Sequence, residues 1–199
     1  GEDAGLETTL DSDAGALGLS AYVHEDLQLG RWHLFPSFRV EQIRTFRVDQ
    51  PQDGSELTIE DPQWRTVPLP GIGLLFELDD WSNVFAGTYR GFSPVAPGQD
   101  EDVEPELAWN TEFGLRSTQD FLQAEVIGYT NVIRNLVGQC TMSSGCLEDD
   151  LDRQFNGGSA LIYGVELLLG TAIPLSPSWR LPLHTNYTWT EATFTSDFN

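Results

Sequence analysis

The sequence predicts an all-β chain, an antiparallel up-and-down meander of about eight strands of a transmembrane β-barrel with short periplasmic turns and long extracellular loops. Three observations predict it. Apolar and polar residues alternate with period two in segment after segment, the connections between segments alternate between short and long, and charged residues sit on the less apolar face of most segments.

The first alternation runs from Leu17 to Val23, with Leu17, Leu19, Ala21 and Val23 on one face and Gly18, Ser20, Tyr22 and His24 on the other. After a polar turn near Gly30, Trp32, Leu34, Pro36, Phe38 and Val40 oppose His33, Phe35, Ser37, Arg39 and Glu41. Ile72, Leu74, Phe76 and Leu78 form the third run, which ends in the turn-like Asp79–Asn83; a fourth passes through Phe85, Gly87 and Tyr89 with Ala86, Thr88 and Arg90 between them. The fifth sets Leu107, Trp109, Thr111, Phe113 and Leu115 against Asn110, Glu112, Gly114 and Arg116. The sixth sets Leu122, Ala124 and Val126 against Gln123, Glu125 and Ile127, and the seventh runs from Leu161 to Leu169 around Glu166. The eighth opposes Trp179, Leu181, Leu183, Tyr187 and Trp189 to Arg180, His184, Asn186 and Thr188. No segment has a convincing helical period.

Connections near Gly30, Trp81, Thr118 and Ser176 are short, whereas those over roughly 48 to 68, 93 to 105 and 135 to 158 are long. Short turns at one end and long loops at the other describe an outer-membrane meander. Trp32, Trp81 and Trp179 sit at or beside the short turns and Tyr89 lies toward the long-loop ends, as expected of rings anchored at the two membrane interfaces. A dry core would not accept Arg39, Glu41, Glu112, Arg116, Glu125, Glu166 and Arg180 on so many strands; a hydrated or plugged lumen would.

The chain has 199 residues, is 40% hydrophobic, and sets 31 acidic residues against 10 basic ones for a net charge of −21, so disorder and nucleic-acid binding are both disfavoured. All the basic residues are Arg, which removes Schiff-base chemistry and P-loop phosphate binding. Nucleophile-elbow, zinc-protease and nucleotide-loop signatures are missing, so no enzyme and no cofactor is expected. No basic segment with an apolar run precedes the body, and Glu166 interrupts the most apolar stretch, so neither a signal peptide nor a membrane helix is expected. The acidic residues gather in the amino-terminal stretch and the long loops, where they keep the loops solvated. Divalent-cation bridging to anionic lipopolysaccharide is an alternative use for them; a calcium site at Glu148–Asp152 lacks the spacing of a calcium loop. Cys140 and Cys146, in one long loop, are expected to form a small disulfide, since zinc would need a third and fourth ligand and His24, His33 and His184 lie on strands.

Several segments resemble one family. Ala86–Pro94 followed by Glu106–Arg116 resembles the barrel of TonB-dependent outer-membrane receptors, where a Y-x-G-F-x-P strand end (here Tyr89, Gly91, Phe92, Pro94) precedes an N-x-E-x-G strand (Asn110, Glu112, Gly114). Glu125–Ile133 is similar to their F-x-x-x-Y-x-N-x-I strand with Val126 or Ile127 in place of the aromatic. Asn156–Glu166 is similar to N-x-G-x-A-x-x-x-G-V-E, with Gly164 and Glu166 at its end, and residues 19 to 46, with Tyr22 and Arg39-Val40-Glu41, resemble the earlier Y-x-Q-D…G-x-R-x-E hairpin. Such receptors have about twenty-two strands around an amino-terminal plug, so the resemblance implies that residues 1–199 are part of a barrel domain whose plug and remaining strands are absent from this chain.

The resemblance further implies an outer-membrane location in a Gram-negative bacterium and TonB-energised uptake of a ferric siderophore. Partners would be that ligand, the TonB complex through the plug, and outer-membrane lipid and lipopolysaccharide. The cysteine-bearing loop looks most like ferric dicitrate-type receptors. An anionic ferric citrate would need Arg donors at the mouth, for which Arg47, Arg65, Arg90, Arg134 and Arg153 are candidates with Gln139 as a neutral partner. The acidic loops disfavour an anion, so cobalamin, haem or another siderophore stays open. Two rivals make different demands: a small closed adhesive or structural barrel needs its last strand to pair with its first, and a secreted carbohydrate-binding sandwich needs its apolar faces packed on each other.

Overall fold

The computed structural model describes residues 10–51, 58–99, 103–144 and 154–196. Among them are eleven strands: β1 (Leu10–His24), β2 (Leu27–Leu29), β3 (Trp32–Pro51), β4 (Thr58–Glu77), β5 (Ser82–Ser93), β6 (Glu106–Thr118), β7 (Leu122–Arg134), β8 (Val137–Gln139), β9 (Gln154–Asn156), β10 (Ser159–Ser176) and β11 (Trp179–Phe194). The eight long ones each contain one of the alternating segments, and they lie in one antiparallel sheet in chain order, β1-β3-β4-β5-β6-β7-β10-β11. This is the up-and-down meander that the alternation predicts. No helix among the described residues is long and apolar enough to cross a membrane, which says nothing of a barrel that crosses with strands.

Local chemistry explains the breaks. β2 continues the line of β1 along β3; between them Glu25 N–H bonds the carbonyl of Pro36, which has no N–H to return. Gly30 takes the positive φ of 65° that the two-residue turn from β2 to β3 requires. Pairing of β4 with β5 begins at Gly71, next to Pro68 and Pro70, which have no N–H to offer a second neighbour. A register shift between Pro174 and Ser176 marks the last turn. The short turns are stitched to one another: Thr118 N–H donates to the Trp81 carbonyl, and both Ala172 N–H and Thr171 Oγ1 donate to that of Phe121.

The stretch expected as a long loop over residues 48 to 68 is largely strand, because β3 and β4 stay paired up to Asp49↔Thr58. Among the described residues, the stretch 135 to 158 holds the paired short strands β8 and β9 and a 3-10 turn at Met142–Ser144.

Register decides which residues share a face, since directly paired residues point the same way. The row Trp32, Phe76, Val84, Leu115, Val126, Leu167, Tyr187 crosses the sheet from β3 to β11 on one side. On the other side runs Gly73, Gly87, Glu112, Tyr129, Gly164, Thr190. Among the described residues nothing packs on the apolar side, where Phe113 is 59% exposed and Leu19 56%. Among the described residues the buried apolar side chains are Val67, Val95, Val103 and Ala160. Leaving so many large side chains in water would forgo roughly 1.5–3 kcal/mol each; a bilayer receives them instead. A sandwich with two facing apolar layers is thereby ruled against, and so is a small barrel closed on itself, because β1 pairs with β3 and β11 with β10 while the two do not meet.

Candidate functional site

With the apolar face turned to lipid, the other face lines the lumen. The motif residues of β5, β6 and β10 converge there. Tyr89, Asn110 and Asn131 form one cross-strand row; Glu112, Tyr129 and Gly164 form the next, and Gly114, Ile127 and Glu166 the third. Tyr89, Asn110, Glu112, Tyr129, Asn131 and Glu166 surround a shallow hollow of about 190 Å³. The glycines of the pattern are positions where a neighbour occupies the space of a side chain. A Cβ at Gly114 would lie 2.7 Å from Cζ of Phe85, one at Gly164 would lie 2.6 Å from the Tyr129 hydroxyl, and one at Gly91 would lie 3.1 Å from Asn110 Nδ2. Aromatic rings laid over strand glycines pin the register without adding bulk to the lumen.

Several charges on this face are paired locally. Arg39 and Glu41, two apart on β3, form an ion pair in which Glu41 is buried, and Arg116 bonds Glu125 Oε1 through Nε at 3.0 Å and Nη2 at 2.5 Å. Near the short turns, His33 stands between Asp26 (3.3 Å) and Glu77 (3.4 Å), with Phe35 parallel to both His24 and His33. Outside the strands, Asp79 in the β4–β5 turn accepts the backbone N–H of Trp81 and Ser82. The Trp81 bond is the main reason its carboxyl titrates below the ordinary 3.8.

At the long-loop end the segment between β5 and β6 folds back over the lumen face. Phe92, Pro94, Val95 and Ala96 close a small pocket with Ile43, Thr45, Arg65 and Val67, and Gly98, at φ 78°, lies against the Arg47 side chain. This segment is clasped to β9 by two reciprocal pairs. Gln154 Oε1 accepts Ala96 N–H (3.0 Å) while Gln154 N–H donates to Gln99 Oε1 (2.6 Å). Asn156 Oδ1 accepts Glu104 N–H (2.8 Å) while Asn156 Nδ2 donates to the Glu104 carbonyl (2.9 Å). Asn135 Nδ2 adds a bond to Glu104 Oε2 at 2.8 Å.

The structure therefore brings three of the expected ligand residues to one corner: Arg47 and Arg65 against the folded segment, and Gln139 on β8, paired with the clasped Gln154. It does not bring Arg90 or Arg134 there. Arg90 pairs with Trp109 and Arg134 with Leu107, which sets both on the apolar face. Phe92, in the same cross-strand row as Leu107 and Arg134, shares that register. Arg153, Cys146 and the acidic stretch Glu148–Asp152 lie outside the described residues; Cys140 is in a disulfide. The clasp residues Gln99, Glu104, Asn135 and Gln154 carry no periodic or motif signal, and sequence reasoning passed over them.

A family model described as "TonB dependent receptor-like, beta-barrel" matches residues 4–199. The chain belongs to the TonB-dependent receptor β-barrel family. Barrels of this family are Gram-negative outer-membrane proteins, which is where this one resides. Solved structures share its fold. The ferric citrate transporter FecA, in its unliganded form, superposes with a TM-score of 0.73 at 22% identity, over 96% of this chain and 28% of that one. The FrpB iron transporter from Neisseria meningitidis (F3-3 variant) gives 0.71 at 12% identity, over 91% and 26%. The ferric-catecholate import receptor Fiu from E. coli K12 gives 0.68 at 16%, over 94% and 29%. The chain thus spans between a quarter and a third of the length of these relatives.

Proposed function

We propose that this receptor barrel forms part of the wall and mouth of an outer-membrane transporter that takes up a ferric chelate, energised by the TonB complex through a plug outside this chain. The observation that carries it is the corner where Arg47 and Arg65 meet the segment folded over the lumen. Guanidinium groups at a lumen mouth suit a carboxylate-rich chelate, so a ferric citrate-like ligand is favoured over a catecholate, with Gln139 and Arg153 as further donors and a Cys140–Cys146 bridge stiffening the loop. The iron belongs to the cargo.

The test is ligand binding to the intact receptor, followed by quenching of its Trp fluorescence. Ferric dicitrate is expected to bind, and Arg47→Gln with Arg65→Gln to weaken it about tenfold or more, the scale of one lost charged hydrogen bond. Binding of a ferric catecholate with no response to ferric dicitrate would move the ligand class; no response to any ferric chelate would overturn the uptake reading.

A further inference from the structure

The corner that holds Arg47 and Arg65 is shut. The pocket that Arg65 and Val67 share with Pro94, Val95 and Ala96 has about 20 Å³ of free space, room for about one water. Sites for small ligands run to roughly 300–1,000 Å³, so no chelate fits while residues 94–99 lie across it. These residues fill the space themselves. Val95 is 8% exposed and Val67, from the sheet below, 6%. A side chain at Gly98 would collide with Cδ of Arg47, so the segment rests on that arginine as well.

What holds the segment down is separate from what it covers. Pro94 and Pro97 fix φ at two of its positions and Gly98 turns it at φ 78°, so it has little freedom to rearrange internally and moves about its ends. Its backbone bonds run sideways: Ala96 N–H donates to Gln154 Oε1, and further along both backbone groups of Glu104 bond the Asn156 amide. Gln154 and Asn156 are on β9, which pairs with β8 in a two-stranded sheet of its own. Changing them leaves β3, β4 and the two arginines untouched. Each such bond is exchanged for one to water on opening and shifts an equilibrium by only roughly twofold to tenfold, which makes the grip reversible.

Resting on the uptake reading for what enters, we infer that residues 94–99 are a self-occluding strap over the ligand corner and that Gln154 and Asn156 are its latch. The chelate binds only those molecules in which the latch has let go. The apparent association constant is then that of the open corner multiplied by the open fraction. Weakening the latch therefore strengthens binding. Residues that merely kept the two loops in shape would have the opposite effect when removed.

In the intact receptor, Gln154→Ala with Asn156→Ala removes the three bonds to Ala96 and Glu104. Phenylglyoxal, which modifies accessible guanidinium groups, is timed at Arg65 by peptide mass spectrometry, with Arg180 beside the last short turn as internal reference. Relative to Arg180, Arg65 is expected to react about tenfold or more faster in the double variant than in the parent. Gln154→Glu, which keeps an acceptor for Ala96 N–H, is expected to stay near the parent. Ferric dicitrate is expected to bind the double variant about tenfold tighter, through faster association with dissociation unchanged. An unchanged Arg65 rate, with barrel folding confirmed by heat-modifiable gel mobility, would overturn the strap; so would weaker binding of ferric dicitrate by the double variant. Faster reaction at Arg65 with no ferric chelate bound by either protein would uphold the strap and overturn the uptake reading instead.

Discussion

The Tyr129 hydroxyl on β7 lies 2.5 Å from Thr190 Oγ1 on β11, and the tyrosine passes over Gly164 of the intervening β10 to reach it. Three strands are tied by one side chain, and only a residue without a Cβ leaves it room.

Gly164→Ala is expected to cost roughly 1–3 kcal/mol, the range for overpacking a filled position. Its Cβ would fall 2.7 Å from Tyr129 Cζ and against the Trp189 carbonyl, which is backbone and cannot yield. Tyr129→Phe and Thr190→Val should each cost about 1 kcal/mol, and the double variant little more than either alone. Urea unfolding of the receptor in lipid vesicles gives all four values; additive costs would show that the two hydroxyls do not share a bond.

Asn156→Ala removes the pair of bonds that Asn156 makes with Glu104 and its 3.3 Å bond to the Asn135 carbonyl. At roughly 0.5–1.5 kcal/mol a bond, amide exchange across 95–105 should accelerate about tenfold to a hundredfold, although the substitution is on the other loop. Hydrogen-exchange mass spectrometry reads this directly. Acceleration confined to residues near 156 would mean that the two loops are not coupled.

Arg116 and Glu125 differ in exposure, 47% against 13%. Removing the exposed partner leaves the covered carboxylate alone, so Arg116→Gln should cost more than Glu125→Gln. The pair itself is worth at most about 1 kcal/mol after solvent screening. Unfolding free energies of the two variants and their double test the order; equal costs would mean that Glu125 finds another partner.

Asp79→Ala is expected to lower the thermal midpoint at neutral pH by removing the acceptor for Trp81 and Ser82 N–H. Because the folded carboxyl titrates below 3.8, the unfolded chain takes up the proton first. The stabilisation is therefore full above the ordinary carboxylate range and is lost as pH falls through the folded value. Midpoints of parent and variant, followed by circular dichroism from neutral pH into the acid, should converge at the acid end; a constant gap would assign the effect to the turn's shape instead of its charge.

Much of this architecture is written in local periodicity. The run Leu17–Val23 lies inside β1, Ile72–Phe76 inside β4 and Leu161–Leu169 inside β10, because half-buried strands need alternation whatever pairs with them. The stretch 48 to 68 reads as loop since Pro51, Pro62, Pro68 and its acids have low strand propensity, yet β3 and β4 continue through it: at a hairpin, one strand supplies the partner for the other. The motif residues were legible as a family pattern. Their meeting in one hollow was not, for it depends on the registers of β5, β6, β7 and β10 together.

By itself the sequence determined the eight long strands, their up-and-down order and the amphipathic character of the sheet, since each follows from residues within a few positions of one another, while the short strands β2, β8 and β9 left no such signal. Only the tertiary structure decided which Arg residues share the lumen face and which the apolar one. Successive side chains alternate sides, so a one-residue change of register carries Arg90 or Arg134 from lumen to bilayer, and register is set by hydrogen bonds between strands. The clasp between Gln154, Asn156 and the segment after β5 is of the same kind: its partners stand more than fifty residues apart, where no local pattern reaches.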